Sequence, residues 1–186
     1  MKEMKDLMFN KNHVRTPNKK HRTYTVLDIA GYIVNTNFDK GISMNYKRLN
    51  FFLYFAQLQS FITTGQPIFN GCMYVRGGIP CTSYGESNWR SFFNFPMRRI
   101  TTYWDTSKGI LQISKKPFCP HITMYDRALL DDVIKTLNGY STKDLMGIFH
   151  SHDTYKKAIR YYDSEITWKM MCDYIKTLPN NLDITQ

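Results

Sequence analysis

The chain has 186 residues, which fits one domain with some length to spare, and 42% of them are apolar, enough for a substantial core. No run approaches the roughly 18 uninterrupted apolar residues of a membrane span, and the N-terminus, with Lys2, Glu3, Lys5 and Asp6, lacks the apolar stretch of a secretory signal. The net charge of +10 sits mainly in the N-terminal half, where residues 1–23 alone hold seven Lys/Arg against two Asp/Glu; such a balance predicts attraction to phosphate or to an acidic protein surface.

Residues 1–23 show no sustained apolar period and are interrupted by Pro17. They read as a flexible basic arm carrying Lys11, Arg15, Lys19, Lys20 and Arg22. A single domain is expected over residues 24–186. Thr25 with Asp28 forms a capping pair for a first helix, in which Leu27, Ala30, Gly31 and Val34 follow helical spacing and which Gly41 closes. Ser43 or Asn45 caps a second helix that runs to about Thr64, ended by Gly65 and Pro67. From Leu49 to Gln57 this helix is apolar almost all round, which predicts burial on most faces. So few residues join the two helices that they should pack as neighbours.

The middle changes character. Short apolar pieces, Ile68-Phe69 and Met73-Tyr74-Val75, precede Gly77-Gly78, a tight turn with positive φ. Residues 83–93 suit a short helix, and residues 99–104 and 109–113 suit two strands of an antiparallel hairpin. Helices return from Tyr125, where Leu129, Leu130, Val133, Ile134 and Leu137 keep a 3.6-residue period up to Asn138-Gly139. Ser141 and Asp144 cap another helix, Asp153 or Thr154 opens a further turn, and Ser164-Glu165 start the last helix, with Ile166, Met170 and Ile175 inward. The expected fold class is α+β and mainly α-helical: a helix pair, a small antiparallel hairpin or sheet insertion, then C-terminal helices.

Two residue sets invite chemistry. Cys72, Cys81, Cys119 and His121 contain zinc-ligand types, but the close pairs that let one turn present two ligands are absent, and a reducing cytoplasmic setting with small buried cysteines accounts for them. His150-Ser151-His152-Asp153 resembles acid–base machinery, yet its place beside a helix break suits helix-end structure. Neither a catalytic residue, a metal nor a cofactor is therefore expected. The basic and aromatic runs Trp89-Arg90 and Arg98-Arg99, with Tyr103-Trp104 close behind, mix ring faces with guanidinium groups, a combination that suits single-stranded nucleic acid.

The order of these elements resembles the Panacea domain, a family of phage-associated proteins and SocA-like antitoxins. Leu49 to Gln57 and Thr64 to Phe69 match its helix and Thr-Gly-x-Pro-Leu-Phe signature; residues 74–79 with Tyr84, then Leu129 to Val133 and Leu145 to His150, correspond more loosely. The similarity spans about residues 23–178. It departs at Phe51, where the family tends to have Lys, at Cys72, where it has an acid, and at Gly77-Gly78, where it has Gly-Pro. The resemblance implies a non-catalytic protein that neutralises or inhibits a partner protein in a toxin–antitoxin or phage–host conflict. The alternative is a phage anti-defence protein that engages a nucleoprotein or nucleic acid through its basic face. The expected contact residues are Tyr74, Arg76, Tyr84, Trp89, Arg90, Arg98, Arg99, Tyr103 and Trp104, with the basic arm adding attraction.

Overall fold

The computed structural model describes residues 24–42, 44–82, 122–160 and 164–178, together with the backbone of 104–105 and 110–111. The arm and the expected helix over 83–93 lie outside the described residues. In chain order these comprise α1 (Val26–Asp39), α2 (Tyr46–Thr64), β1 (Met73–Arg76), β2 (Ile79–Thr82), β3 (Trp104–Asp105), β4 (Ile110–Leu111), α3 (Met124–Asn138), α4 (Thr142–Ser151), α5 (Asp153–Ala158), β5 (Glu165–Ile166) and α6 (Trp168–Thr177). The fold is mainly helical α+β, as the sequence predicts. No helix among the described residues is long and apolar enough to cross a membrane.

The core is built on α2. Asn45 caps its start by accepting from the Arg48 N–H at 2.8 Å, and Gly65 ends it in the left-handed region at φ 70°. Between those stops every residue from Leu49 to Phe61 is buried. A helix enclosed this fully carries its polar side chains into the interior, so each one needs a partner there. Gln57 supplies the clearest case. Its Oε1 accepts from the Ile68 and Phe69 N–H groups at 3.1 and 3.3 Å, and its Nε2 donates to the Phe69 carbonyl at 3.3 Å. The carboxamide thereby pins the chain where it returns after Pro67. Ser60 Oγ adds a bond to the Gln66 carbonyl at 2.8 Å.

Helices α1 and α3 flank α2. Tyr24 donates to Asp126, Tyr32 to Asp131, and Asn138 to Asn37, each at 2.8 Å, and the rising order of these pairs shows that the two helices run the same way. α2 runs opposite to both, which brings Arg48 to the C-terminal end of α3. There its guanidinium donates to the Tyr140 and Leu137 carbonyls at 2.8 and 3.1 Å, satisfying groups that a helix end leaves open.

Strands β1, β2 and β5 form one antiparallel sheet in the order β2-β1-β5, and β3 pairs with β4 separately. Gly77 and Gly78 both hold positive φ, 57° and 77°, which closes a two-residue hairpin with the twist the strands require. The pairs Trp104↔Leu111 and Asp105↔Ile110 fall inside the hairpin expected over 99–113.

Two expectations need correction. The last helix begins at Trp168, capped by Thr167, because Glu165 and Ile166 are taken up as a strand against β1. That later start turns Met171 and Tyr174 to the core and leaves Met170 and Ile175 half-buried. In α1 the Thr25–Asp28 capping pair forms as expected, but the buried face is Val26, Ile29, Ala30, Ile33 and Val34, with Leu27 left 38% exposed. Asp153 opens α5 as expected, and the capping position before it belongs to His152.

Replacing Gln57 with Leu keeps the volume but strands two buried N–H groups. We expect a loss of about 2–6 kcal/mol, at about 1–3 kcal/mol per unsatisfied group, measurable as a lower urea midpoint at unchanged slope.

Candidate interaction face

β1 alternates as the pleat dictates: Met73 and Val75 face the core, whereas Tyr74 is half-buried and Arg76 exposed on the outer side. The Arg76 guanidinium lies 5.7 Å from the centre of the Tyr74 ring, a cation–π arrangement that holds both side chains outward together. In register, Tyr74 stands opposite Cys81 on one side and Glu165 on the other. Partial burial raises the Tyr74 pKa, and the neighbouring Cys72 thiol and Glu165 carboxylate add to that, while Arg76 opposes it.

Of the nine expected contact residues, the described structure brings Tyr74 and Arg76 together. Trp104 is placed by its backbone alone, in β3. Tyr84, Trp89, Arg90, Arg98, Arg99 and Tyr103 lie outside the described residues, as do Lys11, Arg15, Lys19, Lys20 and Arg22 of the arm. The described residues hold twelve Lys/Arg against ten Asp/Glu, a net +2, so +8 of the chain's +10 falls in the other segments. The described residues are close to neutral, and the basic residues are concentrated in residues 1–23 and in the middle of the chain.

The four residues that resembled acid–base machinery point apart. His150 Nε2 meets the Gly78 carbonyl at 2.7 Å, so that nitrogen carries the hydrogen. Ser151 Oγ donates to the Ile148 carbonyl at 2.6 Å, and Asp153 pairs with Lys156 at 3.6 Å on the surface. His152 turns inward. Its Nδ1 lies 2.9 Å from the Tyr54 hydroxyl, which also meets Thr154 Oγ1 at 2.6 Å, and its ring lies 4.5 Å from that of Tyr174.

His152 is held neutral. Burial is the first cause and the charge of Lys156 the second, with Asp153 opposing, and together they bring its pKa down to about 4. The Tyr54 hydroxyl, which can donate to one neighbour and accept from the other, bridges the neutral His152 Nδ1 and the Thr154 hydroxyl. One core tyrosine therefore bonds both sides of the break between α4 and α5. Burial also pushes the Tyr54 pKa up, and that of Tyr174 up to about 12. The sequence suggested helix-end structure at this cluster but gave no sign of the inward turn of His152, because its partner lies 98 residues away.

Of the cysteines and histidine weighed for zinc, Cys72 is exposed and Cys81 buried, both as thiols; Cys119 and His121 lie outside the described residues. Among the described residues no three His, Cys, Asp or Glu side chains gather as a metal site. The Glu165 side of the face was not foreseen, since a two-residue strand leaves no alternation to read.

The His152 shift has a sign. Above pH 6.5 the side chain is neutral whether the chain is folded or not, so stability is at its full value. Between pH 6.5 and about 4 the unfolded chain takes up a proton that the folded chain refuses, and stability falls; below about 4 this contribution is flat. The loss amounts to about 3 kcal/mol. Urea titrations across that range should show it in the parent chain and lose this component in His152→Gln.

Comparison with protein-family models, curated proteins and solved structures finds no match for this chain.

Proposed function

We propose that the protein works by binding rather than turnover, neutralising or inhibiting a partner protein in a toxin–antitoxin or phage–host conflict in the cytoplasm. The observation that carries this reading is the paired Tyr74 and Arg76, displayed on a hairpin whose other face is anchored in the core. Tyr and Arg are the residue types most enriched where interface energy concentrates, and a pair already held in place loses less conformational freedom on binding. The Panacea-like pattern over α2 supports the same reading. Its matching residues are interior ones, so the resemblance speaks for a shared scaffold, while the departure at Cys72 lies beside the outward pair. The departure at Phe51 is a core substitution: the ring is buried and meets Phe149 edge-on at 6.0 Å.

The distribution of charge favours a second reading, a phage anti-defence protein that engages a nucleoprotein. Of the charge outside the near-neutral described residues, +5 lies in residues 1–23, and three further arginines stand among Trp89-Arg90, Arg98-Arg99 and Tyr103-Trp104. A phosphate-dominated complex weakens steeply with salt, whereas an interface centred on aromatic side chains changes less.

Affinity purification from the native host, with and without nuclease, separates the two. The leading reading expects a protein partner that survives nuclease and 0.5 M salt. It also expects the Tyr74→Ala, Arg76→Ala double variant to weaken that complex by about tenfold or more, as hot-spot truncations do. Recovery of nucleic acid alone would overturn it.

A further inference from the structure

We infer that His150 is a positioning residue: it clamps the Gly77–Gly78 turn and so sets where Arg76, and with it Tyr74, stands. The inference rests on the reading that this hairpin carries the partner contacts.

The hairpin has only four residues in each strand, and an isolated two-stranded ribbon of that size is marginal in water. Its two ends are secured differently. At the Met73 end the third strand supplies support, because Met73 pairs with Ile166 and Tyr74 with Glu165, and the Val75 N–H donates to the Ser164 carbonyl at 2.8 Å. That support stops before Arg76. At the turn, the hydrogen bond from His150 Nε2 to the Gly78 carbonyl takes over, and at 2.7 Å it is short. The fit is close: a Cβ on Gly78 would lie 3.2 Å from His150 Nε2, at a φ of 77° that already disfavours a side chain.

His150 is itself held. Its ring stacks on Tyr155 with centroids 4.3 Å apart and planes 19° from parallel. Residues five apart on an unbroken helix point about 140° apart, so this stack exists because the chain bends at His152. The inward turn of His152 and the outward clamp of His150 are two consequences of one corner. Through it, the α2 core fixes the turn that flanks the candidate contact pair.

Two variants separate the donor from the ring. His150→Phe keeps a ring for Tyr155 but removes the N–H, and His150→Gln places an amide N–H where Nε2 was. Amide hydrogen exchange on the chain alone should show residues 76–79 exchanging about fivefold faster in His150→Phe, the effect of one hydrogen bond. Rates in α1 and α3 should stay unchanged, and His150→Gln should return the turn to near the parent rate. In the host purification, His150→Phe should lower recovery of the nuclease-resistant protein and His150→Gln should restore it. Parent-like exchange in His150→Phe, or failure of His150→Gln to rescue it, overturns the clamp. If the turn responds as expected but neither Tyr74→Ala nor Arg76→Ala alters recovery, the reading of the face is what falls, and the clamp stands.

Discussion

Enclosure of α2 is the constraint from which the rest of the structure follows. Most helices in a domain of this size bury one stripe and leave the other to water. Here the segment from Leu49 to Phe61 has no solvent face, so α1, α3, the first hairpin and the C-terminal helices must close around it. The same enclosure explains why polar side chains on α2 act as fasteners. Gln57 holds the returning chain, Arg48 holds the end of α3, and Tyr54 holds the α4–α5 corner. Each is a polar group whose burial is tolerable because its hydrogen bonds are made, and each ties a distant part of the chain to the same helix.

The corner at His152 shows how an apparent catalytic cluster resolves into architecture. Histidine, serine, histidine and aspartate in succession have the composition of acid–base chemistry. On the structure they serve four separate bonds, directed to a turn carbonyl, a helix carbonyl, a core tyrosine and a surface lysine. What the cluster achieves is a bend. The bend puts Thr154 beside Tyr54 and Tyr155 over His150, and it frees His150 to reach the hairpin. Adjacent residues on either side of a helix break face different ways, so closeness in sequence says little here about closeness of side chains.

The near-neutral scaffold changes how the basic charge is understood. A net +10 spread evenly would suggest a general affinity for phosphate. The described residues carry only +2 of it, so most of the basic charge belongs to residues 1–23 and to the middle of the chain. The Tyr74–Arg76 pair lies among the described residues, on a strand paired with β2 and β5.

Local signals made much of this fold legible in advance. The capping pairs Thr25–Asp28 and Ser141–Asp144, the Asn45 cap, the Gly65 stop and the Gly77–Gly78 turn each depend on residues within four positions of one another, and all form as their chemistry predicts. The all-round apolar character of α2 likewise announced its burial. What local pattern does not contain is any bond between distant residues. The pairing of Glu165 and Ile166 with β1, the outward turn of Leu27, the inward turn of His152 and the reach of His150 to Gly78 join or reorient positions through partners far along the chain. Sequence alone thus determined most of the described helices, the caps and stops of several of them and which helix lies at the centre, because propensity, capping and periodicity act over one or two turns. Tertiary structure decided which side chains meet and which faces look outward, because those depend on elements some 70 to 100 residues apart arriving at the same place.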